Sequence, residues 1–393
     1  MKFCQIPDTE ISYKASLQIR DCITDWDGFL PDNHPLKSRE LLLFENANLK
    51  DTGFCYVLVY RKEKPIGLLY LQLISFNSDH YQKDVLGHGL ISLIKDFILK
   101  QKANLAICGN LFRLETPGAY FSNPEDYRLV FKILKQFEKK NPGNQKFCGM
   151  LIKDLETQFD DKLISESRFK KYTHDQLMEL EIREDWSVFD DYLNSLSKKY
   201  RQRANKIILA GSDIERRVFS SADFDLYEKK IDSLYQNVVG RQMIKIGILN
   251  GAYFKEMAIR KPDSFQVVGY FEGDELVAFS SQFYHSEQEL EIHYIGFDFD
   301  KNERYALYFN ILFDGIKSAI SEGIKVLKFG RTGYDAKTSL GALPKSAQHF
   351  YKIKRGLPSL AFNYMVKMYA SKEEGNLVVR NPFKAGPMVE ITK

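Results

Sequence analysis

The sequence of 393 residues lacks most of the features that mark a specialised class of protein. It has no apolar run approaching the roughly 18 residues of a membrane span. Its start, MKFCQIPDTEISYK, lacks the apolar core of a signal peptide. The net charge of +4 is too small a bias to indicate a nucleic-acid-binding protein by itself. We therefore expect a cytoplasmic protein with no membrane segment, in which any anion binding is local.

Cysteine gives no framework either. The five cysteines are odd in number and have no CxxC spacing, so neither a set of disulfides nor a zinc site is indicated, and no metal is expected. Hydrophobic residues make up 44% of the chain and charged residues 27%, which is typical of globular proteins. Because the length exceeds what one core usually serves, two domains are expected.

The order of apolar runs supports two similar halves. Residues 54–76 predict an antiparallel hairpin around RKEKP, and residues 265–299 predict a second hairpin followed by a third strand. After each hairpin, helices alternate with strands, which predicts an α/β fold with mixed sheets. We place the domains at residues 1–180 and 181–393. The helices and strands predicted after the hairpins are 88–101, 104–109, 124–140 and 146–152 in the first half, and 305–322, 325–330, 335–341 and 348–354 in the second.

The segment between the halves predicts further helices. Residues 186–211 predict one amphipathic helix, with a helical pair at 222–239 and 251–260 after it, and the tail predicts one more helix and an extended end. The polar faces of the first helix carry Arg201 and Arg203. These arginines are candidates for binding a phosphate or a substrate; the alternative is a solvated charged face. The apolar stripe of this helix is Phe189, Leu193, Leu196, Tyr200, Ala204 and Ile207.

The strand predicted over 289–297, ELEIHYIGF, carries a carboxylate and an imidazole two residues apart. Because side chains alternate across a strand, Glu291, His293 and Ile295 are expected on one face and Tyr294 on the other. The Cα atoms of Glu291 and His293 are then about 7 Å apart. A carboxylate beside an imidazole orients it, so the pair is a candidate general base. The alternative is a half-exposed sheet face that tolerates polar groups.

The helix after this strand begins in DFDKNERYAL. Asp300 or Asn302 can cap it, and its free N–H groups and positive dipole end would form an anion site at the strand end. Lys301 and Arg304 would add positive charge. The alternative is simple capping at the surface.

The segment FGRTGYDAKTSLGALP follows the next predicted strand, where ligands bind in open sheets with helices on their faces. Gly330 lets the backbone turn sharply there. Arg331 supplies a planar pair of donors for a carboxylate or phosphate, and Lys337 supplies a point charge. The alternative is a polar loop with solvated cations and Tyr334 packed on the domain edge. The equivalent segment of the first half, AICGNLFRLETPGAYF, has no such lysine, so the second half is favoured as the active one.

The second half resembles the Fem-type, tandem-GNAT acyltransferases over roughly residues 185–355. The motifs that carry the resemblance are GI before a strand, FGR at its end, a Lys before GALP, and the basic helix in YLNSLSKKYRQRANKI. These are Gly323 and Ile324, Phe329 to Arg331, Lys337, and Gly341 to Pro344. The first half matches only by pattern.

The resemblance implies two GNAT-like folds, each a twisted mixed sheet flanked by helices, and transfer of an acyl group to an amine. It places the acyl donor where strand 289–297 separates from strand 325–330. Glu291 or His293 is then the base, with backbone N–H groups of the strand as donors to the oxyanion. Tyr308 or Tyr334 is a candidate acid for the leaving thiolate. The candidate donor-binding residues are Tyr294, Ile295, Gly296, Asn302, Arg304 and Tyr305, and the candidate substrate-binding residues are Arg331, Lys337, Asp335, Arg201 and Arg203.

One departure keeps the donor open. Acetyl-CoA-dependent GNAT enzymes carry RxxGxG/A before the long helix, whereas DKNERYAL has Arg304 and no glycine. Three functions follow. The first is an N-acyltransferase that uses acyl-CoA, and the second is an aminoacyl-tRNA-dependent transferase of cell-wall peptide synthesis. The third is a non-catalytic binding protein, with the first domain non-catalytic or substrate-binding in any case. The expected acceptor is a small-molecule, peptidoglycan or lipid-linked amine.

Overall fold

The computed structural model describes residues 3–77, 80, 103–242, 245–354 and 378–384. These residues form two compact units. Over its described residues, the first unit is Met1–Asp175, Gln242–Leu249 and Ala347–Ser371, and the second is Gln176–Arg241, Asn250–Ser346 and Lys372–Lys393. Both combine helices with a sheet of parallel and antiparallel strands, so the predicted α/β class with mixed sheets is confirmed.

The first unit is a sheet with strand order β1-β2-β3-β4-β5-β7, and the short β6 pairs with β4. The residues of β14 from Phe350 onward pair with β7. Its strands are β1 (Cys4–Gln5), β2 (Ile11–Ser16), β3 (Thr52–Arg61), β4 (Lys64–Phe76), β5 (Ala103–Cys108), β6 (Ala119–Phe121), β7 (Phe147–Ile152) and β14 (Leu343–Ile353), and its helices are α1 (Ile23–Phe29), α2 (Ser38–Asn46), α3 (Leu129–Phe137) and α4 (Asp161–Glu166).

The second unit has strand order β8-β13-β12-β11-β10-β9. Its strands are β8 (Lys170–Glu181), β9 (Glu215–Val218), β10 (Phe265–Glu272), β11 (Glu275–Ser286), β12 (Glu289–Phe297) and β13 (Val326–Gly330). Its helices are α5 (Phe189–Ser195), α6 (Lys198–Ala210), α7 (Ser221–Gly240), α8 (Gly251–Arg260), α9 (Phe299–Tyr305), α10 (Leu307–Ser321) and α11 (Tyr334–Thr338).

Local sequence explains most of these elements. The predicted hairpins are β3–β4 and β10–β11, and the first turns through Lys62 and Glu63, both at positive φ (47° and 65°). Helix α7 begins where Ser220 and Asp223 form a capping box. The apolar stripe of α10, namely Leu307, Ile311, Leu312, Ile316, Ala319 and Ile320, is buried in the core of the second unit as its spacing predicts.

The single helix predicted over 186–211 is wrong: the segment forms α5 and α6 with a break at Leu196 and Ser197. Leu196 forms an isolated β-bridge with Phe383, and the Ser197 N–H donates to the Pro382 carbonyl at 2.9 Å. These contacts with the chain's tail take backbone groups that a continuous helix would use itself. The apolar stripe nevertheless faces the core, because its period survives the break.

Two predicted helices, 88–101 and the tail helix over 362–370, lie outside the described residues. The extended end predicted at 380–384 is present, with Phe383 in the bridge to Leu196. Within the part of the chain that the structure describes, no helix has the length and apolar character needed to cross a bilayer.

Candidate functional site

The parallel strands of the second unit separate after three residue pairs. β12 and β13 pair at Glu289 with Val326, Leu290 with Leu327, and Glu291 with Lys328. Beyond this point β12 continues along β11 as far as Phe297, while β13 continues along β8 as far as Gly330. We call the gap between residues 292–297 and 329–330 the strand opening. It leaves one edge of the β12 backbone unpaired by β13 and therefore available to a ligand.

The parallel pair of the first unit has no such gap. β5 and β7 pair from Asn104 with Phe147 to Cys108 with Ile152. The Lys153 N–H then donates to the Cys108 carbonyl at 2.8 Å, which extends the pairing past both strand ends. A ligand could enter between these strands only by breaking their hydrogen bonds. Of the parallel strand pairs within the described residues, that of the second unit is the one that separates before its strands end.

A β-bulge at His293 shapes the strand opening. Ile292 pairs with Gln282 and Tyr294 pairs with Ser281, so His293 is the extra residue of β12. The Ser281 hydroxyl compensates for the disrupted ladder, because it accepts from the Tyr294 N–H at 3.0 Å and donates to the Tyr294 carbonyl at 3.3 Å.

The bulge overturns part of the predicted alternation. Tyr294 was expected on the face opposite His293, but their rings lie 4.6 Å apart, and each contacts an aromatic residue of α8. Ile295 instead packs against the core cluster that contains Ile292. The extra residue shifts the period-two pattern by one, which brings the imidazole and the phenol to the same side.

Glu291 and His293 form a buried hydrogen-bonded chain with two residues that the sequence did not indicate. Glu291 Oε1 lies 3.1 Å from His293 Nδ1, and Glu291 Oε2 lies 2.7 Å from His285 Nε2. His293 Nε2 lies 3.0 Å from the Tyr253 hydroxyl. The hairpin register of β11 and β12 could have indicated His285, whereas Tyr253 arrives from α8, whose packing no local pattern fixes.

The electrostatics of this chain favour an ionised carboxylate. Burial raises the pKa of Glu291, but the imidazoles of His293 and His285 outweigh it, and the net pKa lies well below the usual value. Burial also raises the pKa of Tyr294 well above its usual value, although the nearby Arg331 guanidinium opposes this. Glu291 is thus a poor proton acceptor and a good orienting group for His293.

The two cations predicted for substrate lie near the end of β13. Lys337 is only 4% exposed, and its Nζ lies 4.0 Å from where a β-carbon on Gly330 would sit, at the end of β13. Arg331 is partly buried and lies close enough to Tyr294 for its charge to act on that phenol. Both cations therefore stand beside the strand opening.

Of the two candidate acids, Tyr308 has the better-defined setting. Its hydroxyl would lie 2.6 Å from a β-carbon on Gly333, so the glycine makes room for the phenol near the end of β13. Burial raises the pKa of Tyr308 to about 12, so it keeps its proton at neutral pH and can donate it. Tyr334 is buried at the first position of α11, next to Gly333 in the sequence.

The predicted donor-binding residues at the helix start make contacts within the protein. Asp298 caps the short helix α9, with its carboxylate accepting the N–H groups of Asp300 and Lys301 at 2.9 and 3.1 Å. Asn302 caps α10 by accepting the Tyr308 N–H at 2.8 Å.

The positively charged side chains beside these helix starts form ion pairs within the protein. The Glu272 carboxylate accepts from Arg304 at 3.2 Å, and from the Lys301 ammonium and the Tyr305 hydroxyl. The remaining residues predicted to bind substrate also contact other side chains of the protein. Arg201 lies 3.5 Å from Asn194, Arg203 stacks 4.9 Å over the ring of Phe309, and Asp335 lies 3.1 Å from Arg380.

Gly296, a predicted donor-binding residue, permits close packing of α7 on β12. A β-carbon there would lie 2.6 Å from backbone atoms of both Leu234 and Tyr235 on α7, and would overlap the Phe279 ring. We expect G296A to lower the free energy of unfolding by about 1–3 kcal/mol or more, because backbone atoms cannot move aside cheaply. G240A, at the end of the same helix, meets nothing within 4 Å and is the matched control. Urea unfolding of both variants checks this, and equal stabilities would contradict it.

The fold and the site define an α/β protein whose second unit opens a parallel strand pair beside a buried Glu–His pair. No protein-family model matches the sequence, and no curated protein matches it significantly. Solved structures do match. A tandem GNAT protein from the clavulanic acid biosynthesis pathway is 10% identical with a TM-score of 0.49, over 87% of this chain and 97% of that one.

Two further matches are of the same kind. FemX is 9% identical with a TM-score of 0.47, over 90% of this chain and 99% of that one. The L-PGS from Bacillus licheniformis is 14% identical with a TM-score of 0.44, over 88% of this chain and 98% of that one. The structural matches thus include Fem-type and tandem-GNAT proteins, the two kinds that the sequence resembles.

Proposed function

We propose that the second unit is an N-acyltransferase that transfers an acyl group from acyl-CoA to an amine in the strand opening. The observation that carries the proposal is that β12 and β13 separate directly after Glu291, beside the buried Glu291–His293 pair. An extended donor fits such an opening because the free edge of β12 offers it backbone hydrogen bonds. The acceptor is a small-molecule amine or an amine linked to peptidoglycan or lipid.

Each step of acyl transfer has a candidate group. His293 finally accepts the proton that the amine must lose, through the group hydrogen-bonded to its Nε2, and Glu291 orients the imidazole. Backbone N–H groups of β12 in the strand opening stabilise the carbonyl oxygen as it becomes anionic. Tyr308 protonates the leaving thiolate. Arg331 and Lys337 bind negative charge on the donor or the acceptor.

A second candidate is transfer from aminoacyl-tRNA, and the helix starts favour it. Side chains of the protein already cap α9 and α10, and Glu272 neutralises Lys301 and Arg304. This leaves a weaker site for a pyrophosphate than free helix N-termini would give. The basic residues of α6 offer an alternative surface for a phosphate backbone.

Thermal unfolding with candidate donors separates these functions. A ligand that binds only the folded state at a hundred times its Kd adds about 2.7 kcal/mol of stability. We expect acetyl-CoA or a longer acyl-CoA to raise the Tm, and K337A to reduce that rise. K345A is the matched control, because Lys345 is half exposed and pairs with Glu179. A rise with tRNA alone would favour the second candidate, and no rise with any donor would favour a non-catalytic binding protein.

A further inference from the structure

His285 and Tyr253 complete the buried chain at its two ends. His285 comes from β11 and Tyr253 from α8, so three elements meet at the Glu291–His293 pair of β12. The His285 side chain is 18% exposed, whereas the side chains of Glu291 and His293 are 3% and 1% exposed. The chain therefore runs from a partly solvated imidazole to a buried phenol.

The ionised carboxylate fixes the direction of every hydrogen bond. A carboxylate without a proton only accepts, so His285 must present Nε2–H to Glu291 and His293 must present Nδ1–H. Neutral His293 then has its lone pair on Nε2, which accepts the hydroxyl proton of Tyr253 at 3.0 Å. The geometry thus selects one tautomer of His293, the one whose Nε2 can take up a proton.

The Tyr253 hydroxyl can stay bonded to His293 in either protonation state of the imidazole. When His293 gains a proton, Nε2–H becomes a donor, and the Tyr253 oxygen can accept because a hydroxyl both donates and accepts. The contact therefore survives both states without movement of the ring. The rings of Phe265 and Phe283 pack 6.0 Å from His293, and within the described part of the chain Tyr253 is the hydrogen-bond partner of Nε2.

His285 has the complementary task at the other end. Its Nε2–H holds Glu291 Oε2 at 2.7 Å, which leaves Oε1 aimed at His293. Without this second donor, Glu291 would keep only its hydrogen bond to His293 among the four side chains of the hydrogen-bonded chain, and its carboxylate could rotate away from the imidazole. Lys328 of β13 is paired with Glu291 in the strand register, and its ammonium donates to the Glu289 carboxylate at 3.0 Å.

We infer that the Tyr253 hydroxyl relays the proton of the amine: it gives its own proton to His293 Nε2 and takes up that of the amine. His285 is a positioning residue that keeps Glu291 against His293 Nδ1–H, the tautomer required of the transfer base. This inference rests on the proposed function. It assigns to the reaction the two residues at the ends of the hydrogen-bonded chain: Tyr253 acts through His293, and His285 acts through Glu291.

The test compares Y253F with Y235F. Tyr235 is a second buried tyrosine, on α7, whose ring packs on Tyr294, so Y235F removes the same atom nearby. Imidazole 15N–1H spectra, with His293 assigned from H293Q, report the tautomer. We expect wild type, Y235F and Y253F all to show His293 as Nδ1–H, because Glu291 selects that tautomer. Turnover of Y253F should fall between about five- and a hundredfold, because a buried acceptor loses its donor.

His285 offers a rescue experiment. H285Q keeps an N–H group that can reach Glu291, whereas H285L does not, so turnover and the His293 tautomer should be preserved better in H285Q than in H285L. Thermal unfolding shows whether each variant is folded. If Y253F does not fold, the comparison of H285Q with H285L carries the test.

The outcomes distinguish the two proposals. A wild-type protein that transfers no acyl group from any donor contradicts the proposed function. An active wild type whose Y253F variant matches Y235F in turnover overturns the relay by Tyr253 alone. Equal behaviour of H285Q and H285L overturns the part played by His285.

Discussion

H293Q is expected to turn over acyl groups roughly 10²- to 10⁴-fold more slowly than wild type, the range by which a positioned general base accelerates proton transfer. Glutamine can still donate to Glu291 and meet Tyr253, so the buried chain is only partly disturbed. It cannot take up a proton at neutral pH. The loss should therefore fall on kcat, with little change in KM, as expected when an interaction made only in the transition state is removed.

A matched variant exists in the first unit. His349 is also buried and also lies between two partners, with its Nε2 2.8 Å from Asp175 and its Nδ1 accepting the Asp154 N–H at 3.0 Å. H349Q therefore makes the same chemical change in a unit whose parallel strands are closed. Turnover by H349Q should stay near that of wild type. A large loss in H349Q with none in H293Q would move the chemistry to the first unit.

The sequence indicates the parts of the fold that follow from local period and turn residues. The β10–β11 hairpin, the stripe of α10 and the position of Glu291 two residues before His293 all come from spacing alone. Lys337 is buried near Gly330, and its predicted role in binding substrate charge stays a prediction. These features depend on residues near one another in the chain.

The rest depends on contacts between distant residues. The break at Leu196 needs Phe383, and the bulge at His293 needs the Ser281 hydroxyl to satisfy the backbone of Tyr294. A period-two pattern carries no sign of an extra residue, so the face of Tyr294 was predicted wrongly. The close approach of α7 to Gly296 likewise leaves no sign in the local sequence.

E291A is expected to lower the free energy of unfolding of the second unit by about 3–5 kcal/mol, since it leaves two imidazoles at a buried site without their acceptor. Each unit contains one of the two tryptophans, Trp26 in the first and Trp186 in the second. In a W26F background, urea unfolding followed by fluorescence therefore reports on the second unit. E287A, in the exposed turn between β11 and β12, should change stability by less than about 0.5 kcal/mol.

The pH dependence of this difference tests its electrostatic origin. The pKa of Glu291 in the folded protein lies below its unfolded value of about 4.3, so its ionisation stabilises the fold above that pH. As the pH falls below about 4, this contribution is progressively lost in wild type and is already absent in E291A. The stability difference between the two should therefore shrink on acidification. A difference that stays constant down to the acid unfolding of the unit would mean that Glu291 contributes through packing, and that the imidazoles do not depend on its charge.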